Sequence, residues 1–242
     1  MRALVNDEKL IGLLNEIESY LGPISLATMP IEHRHLSRCS ISFIPEHGWI
    51  LWHIPEKITS QATICHELAH LILLIEGYPA FIIDSPIPNT DYLFQTTSML
   101  KNLVLHIEVW KIVKLLGFDE IPDYKPGLEY LISQVQNSNL LIDARPNEII
   151  QFRAAYLAQG LLNPAESETI ALLRETASQT MPEELELADS IIRIFDNLSP
   201  LSPKSCAEAL SEICALLKIH RGMLIASWPD RPVPDFRSRI IN

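Results

Sequence analysis

Residues 64–70 read Ile-Cys-His-Glu-Leu-Ala-His, and no other stretch restricts the chain so strongly. In a helix, positions i and i+4 share a face one turn apart, so His66 and His70 can offer two imidazole nitrogens to one cation. Glu67 sits beside them, placed to take a proton from a water activated by that cation. With 8 histidines and 20 glutamates in 242 residues, His-Glu-x-x-His is expected by chance on the order of 0.02 times. The flanks supply the helix that this reading needs. Thr59 or Ser60 can cap it, Ile64, Leu68, Leu71, Ile72 and Ile75 continue it, and Glu76-Gly77-Tyr78-Pro79 stops it. The plain alternative is a buried helix with two hydrogen-bonded histidines and a glutamate in water. Burying two imidazoles without partners is costly, however, and a cation gives both of them one. Cys65 adjoins His66 but points about 100° away on a helix, so it reads as core.

The segment before the motif is expected to be extended. Asp7 to Leu21 carries Leu10, Leu13, Leu14, Ile17 and Leu21 at helical spacing, and Gly22-Pro23 ends it. Ile24 to Ile31 is rich in strand formers. Cys39 to Ile44 and Trp49 to Ile54 alternate around the turn residues Pro45-Glu46-His47-Gly48 and read as a β-hairpin. An edge strand of that hairpin beside the motif helix offers N–H and C=O groups for pairing with an extended peptide. His33 and His35 share a face if extended, but an exposed His-x-His is more often a solvated turn. Trp49 and Trp52 read as packing residues.

A catalytic zinc site takes three protein ligands and leaves one position open, so a third ligand lies elsewhere. Gln95 to Leu116 reads as a second long helix closed by Gly117. Met99, Leu103, His106, Trp110 and Val113 form its apolar stripe, which makes His106 the preferred ligand. Glu108, near Lys101 and Lys111, reads as a solvated ion pair and is the second choice. A more distant acid is the third. Asn102 is either an orienting partner for a ligand or a surface amide.

A strand, a hairpin, a His-Glu-x-x-His helix and a second helix bearing the last ligand together resemble the zincin-type metallopeptidases, in particular the compact ImmA/IrrE-like group. The resemblance covers about residues 24 to 117. It implies Zn²⁺ held by His66 and His70, Glu67 as general base, and hydrolysis of peptide bonds in a peptide or protein substrate. Leu71 to Glu76 lacks the glycine and third histidine of the metzincin extension. Lys101 to Trp110 does not match the acidic ligand followed by Ala-Asn-x-Phe-Ala that is usual in the ImmA/IrrE-like group. A non-catalytic zincin-like module that binds or regulates another protein would share the same fold.

The remainder is expected to be helical. Leu128 to Val135 and Ile149 to Leu157 resume the helical period, and Pro164, Pro182 and Pro203 each introduce a further helix. Arg153 and Tyr156 are types that can stabilise an oxyanion, though packing is the commoner role. From Trp228 the prolines point to an extended tail. The expected organisation is a zincin-like domain over residues 1–162 and a helical C-terminal region over 163–242, whose helices offer a surface to a protein partner. The expected fold class is α+β, mainly helical, with a small antiparallel sheet preceding the motif helix. Eight glycines against 17 prolines favour that choice over a sheet-rich fold.

A net charge of −11 without a Lys/Arg stripe argues against nucleic-acid binding, which needs clustered cations. No apolar run reaches the length of a membrane span. Cys39, Cys65, Cys206 and Cys214 form no C-x-x-C pair, and the amino terminus has no signal-peptide pattern. A cytoplasmic protein with reduced thiols is the expectation.

Overall fold

The computed structural model describes residues 4–29, 39–56, 59–83, 92–137, 146–197, 202–219 and 223–226. Among them are eight α-helices and five β-strands, so the chain is α+β and mainly helical. His33 and His35, the residues 143–145 and the tail from Trp228 lie outside the described residues.

Contacts divide the chain into two compact units. The first comprises residues 4–76 and Val109–Asp123, and the second comprises Gly77–Glu108 and 124–226. The first opens with α1 (Glu8–Leu21), capped by Asp7, whose carboxylate accepts from the N–H groups of Lys9 and Leu10. Leu10, Leu13, Leu14 and Ile17 are buried along one face, as their spacing predicts.

Three strands follow: β1 (Ile24–Thr28), β2 (Cys39–Ile44) and β3 (Gly48–His53). β2 and β3 form the expected hairpin, with Ile41 opposite Leu51 and Phe43 opposite Trp49. The sheet is not wholly antiparallel, however. β1 pairs with β3 in parallel, giving the order β1-β3-β2 and a mixed sheet. Ten residues separate β1 from β2, enough chain to return and place β1 on the edge of β3 that the hairpin leaves open. Trp52 Nε1–H donates to Ser42 Oγ at 2.7 Å, and the Phe43 and Trp49 rings pack 5.3 Å apart.

The hairpin leads into α2 (Gln61–Ile75), which bears the motif. Ser60 is its N-cap and accepts from the Thr63 N–H at 3.0 Å. Ten of its 15 residues are buried, and α2 packs against α1 and β2. Each fully buried leucine or isoleucine here contributes about 1.5–3 kcal/mol. Gly77, at φ +80°, turns the chain just beyond the helix end, a conformation that side chains disfavour.

The second long helix is α3 (Tyr92–Leu115). It is unbroken across the division between Glu108 and Val109. Gly117 (φ +86°) closes it, with Gly117 N–H bonded to Lys114 O and Phe118 N–H to Val113 O.

α4 (Ile121–Gln136), α5 (Pro146–Leu161), α6 (Ser167–Thr180), α7 (Pro182–Asp196) and α8 (Pro203–Leu216) supply the rest of the helices. In the second unit α5 packs against α6 and α7, and α7 against α8. A Cβ on Gly160 would fall 2.6 Å from Leu131 Cδ2 and 2.9 Å from Leu173 Cδ2, so α5 is close-packed against α4 and α6. α5 thus shares its core with α6 and α7. β4 (Ala80–Ile83) pairs antiparallel with β5 (Met223–Ala226). No helix among the described residues is long and apolar enough to cross a membrane.

Candidate metal centre

The cap and period that make α2 a helix bring His66 and His70 together. Their ring centroids lie 5.0 Å apart with the planes inclined at 72°. His106, on α3, joins them, and one ligand atom from each of the three histidines lies within 4.8 Å of the other two. His66 and His106 are buried and His70 is partly exposed. The group does not include Glu108. That carboxylate is only 1% exposed, so it is not the solvated group that local spacing suggested.

This donor set could hold a metal ion. Nitrogens bound tetrahedrally at about 2.0–2.1 Å sit about 3.4 Å apart, so the rings need to close by at most about 1.4 Å. Three imidazoles suit Zn, Cu, Fe or Ni, whereas Mg and Ca prefer oxygen.

The surrounding groups hold the rings. His66 Nδ1 lies 2.7 Å from Oε1 of Glu120, itself buried. The pairing engages Nδ1 of His66, so that Nε2 would be the metal-binding atom, as with a carboxylate behind a metal-binding histidine. The segment bearing Glu120 is anchored to α2 a second time. Asp123 Oδ2 accepts from Thr63 Oγ1 at 3.1 Å and from the hydroxyl of Ser60. Within the second unit, Gln159 Nε2 approaches His106 Nδ1 at 3.5 Å.

Glu67 is partly exposed, and its Oε2 accepts the N–H of Ile41 at 2.9 Å. β2 is an edge strand, so this N–H is engaged by the motif glutamate instead of being open to a peptide strand. Burial alone would lower the His66 pKa, but the Glu120 hydrogen bond and the charges of Glu67 and Glu120 outweigh it, and the net direction is upward.

Other sequence candidates have local roles. Arg153 Nη1 lies 3.4 Å from Glu184 Oε1, and Tyr156 stacks on Phe152 at 6.1 Å. Cys65 is fully buried and belongs to the core. Ser60, not Thr59, caps α2. Sequence reasoning missed Glu120 and Gln159. They stand 54 and 53 residues from their histidines, beyond any local spacing rule. The only signal was a polar residue shortly after the glycine stop of α3.

The chain matches no family model, and no curated protein or solved structure is significantly similar to it.

Proposed function

We propose that His66, His70 and His106 hold one Zn²⁺, and that the protein is a zincin-like metallopeptidase of the compact ImmA/IrrE-like kind with Glu67 as general base. The observation that carries this reading is the convergence of the three ligand atoms within 4.8 Å, next to a glutamate at the position that follows the first ligand. Zinc bound there supplies a Lewis acid and lowers the pKa of a water molecule. Glu67 accepts the proton of the attacking water and returns it to the leaving amine. The Ile41 N–H fixes the orientation of the Glu67 carboxylate, which reduces the reorganisation needed in each turnover. The Glu120 bond to His66 leaves the lone pair on the nitrogen that faces the cluster.

The same Ile41 bond also suits a second reading, a non-catalytic zincin-like module in which Glu67 fastens the hairpin to the helix. A Glu67→Gln protein separates the two. The peptidase reading expects it to retain one zinc per chain and to lose cleavage of a mixed peptide library. Undiminished cleavage would remove Glu67 from the mechanism. If the unaltered protein binds zinc but cleaves nothing while a partner-binding effect survives Glu67→Gln, the module reading stands.

A further inference from the structure

The Gln159 side chain on α5 approaches the ring of His106, its Nε2 lying 3.5 Å from Nδ1. With Nδ1 turned to Gln159, Nε2 is the atom left for the cluster. A neutral imidazole carries its proton on one nitrogen only, so a lone pair at Nε2 requires the proton at Nδ1. That proton needs an acceptor. The amide is placed with its NH₂ end toward Nδ1, but its two ends are nearly identical in shape, and rotation by half a turn presents Oε1 instead. The close packing of α5 at Gly160, the next residue, keeps this part of the helix from moving away.

We propose that Gln159 is a positioning residue for the third metal ligand: its amide carbonyl accepts the Nδ1 proton of His106 and selects the tautomer that binds metal through Nε2. The proposal rests on the three-histidine zinc site described above. With the carbonyl end turned to Nδ1, the 3.5 Å approach is expected to shorten into the ordinary hydrogen-bond range of about 2.7–3.2 Å. His66 has a carboxylate in the equivalent place, so two ligands are held by different acceptors, one charged and one neutral.

The test compares zinc affinity, measured by chelator competition, in the unaltered protein and in the Gln159→Met and Gln159→Glu variants. Metal-free melting temperatures report whether each variant folds. Methionine keeps the length and removes the acceptor, and zinc affinity is expected to fall about 10- to 100-fold. Glutamate restores an acceptor and is expected to bind zinc at least as tightly as the unaltered protein. Long-range ¹H–¹⁵N spectra of the zinc-loaded protein should show His106 protonated at Nδ1. Equal affinity in Gln159→Met overturns the proposal, as does an equal loss in both variants or a proton on Nε2. Failure of the unaltered protein to bind zinc overturns the site itself as well, a result distinct from the others. If Gln159→Met does not fold, the Gln159→Glu affinity and the tautomer spectrum decide the matter.

Discussion

Nδ1 of His66 lies 2.7 Å from Oε1 of Glu120 across 54 residues of sequence, and both groups are buried. Such a carboxylate fixes ring orientation and raises the basicity of the nitrogen that binds metal. Glu120→Ala is therefore expected to weaken zinc binding about 10- to 100-fold, with Glu120→Asp losing less. Chelator competition checks both, and unchanged affinity in Glu120→Ala would show that the contact serves the fold alone.

Metal binding should be opposed by protons. His66 is buried, which lowers its pKa, but Glu120 and Glu67 raise it further than burial lowers it. A metal needs the neutral ring, so protons compete with zinc at a higher pH than for an ordinary histidine near 6.5. Zinc affinity should fall as the pH drops from about 8 to about 6. Calorimetry in two buffers of different ionisation enthalpy should show proton release on binding. The metal-free protein has the opposite dependence. Its raised His66 pKa contributes stability that is complete below the unfolded value and is lost as the pH rises through the folded value. Zinc affinity that is flat across this window would contradict the assignment.

The cysteines provide a check on packing. Burial pushes the thiols of Cys39 and Cys65 far above the usual range, with Glu67 adding to the first and Glu120 and Asp7 to the second. Cys214 is pushed up only to about 11 and is partly exposed. Thiolate is the reactive form, so native-state alkylation followed by mass spectrometry should modify Cys214 first. Rapid labelling of Cys65 would be incompatible with a tightly packed α2.

Ser60 caps α2 and also meets Asp123. Its replacement by alanine should cost about 0.5–2 kcal/mol of stability, read as a shift in the urea midpoint. It should also loosen zinc binding slightly, because Asp123 helps hold the segment of Glu120.

Much of this arrangement was legible in local patterns. The cap, apolar run and glycine stop of α2 placed His66 and His70 on one face, and the apolar stripe of α3 singled out His106. Pro182 and Pro203 each start a helix at the first position, where a missing N–H costs nothing. The unread parts depend on distant partners. The parallel pairing of β1 with β3 and the match of Ala80 with Ala226 leave no local periodicity to detect. Glu108 was misjudged for a related reason: spacing to Lys101 and Lys111 describes neighbours on one helix, and says nothing of what packs over it. Glu120 and Gln159 serve the histidines from separate elements, so only the folded chain brings them together.

The claim on which everything else depends is that three imidazoles share one ion. Zinc K-edge absorption spectroscopy of the protein loaded with one equivalent tests it most directly. The account predicts three imidazole nitrogens at about 2.0–2.1 Å with one further light atom in the open position. A sulfur scatterer at about 2.3 Å, fewer than three imidazoles, or zinc that washes away on dialysis would contradict it.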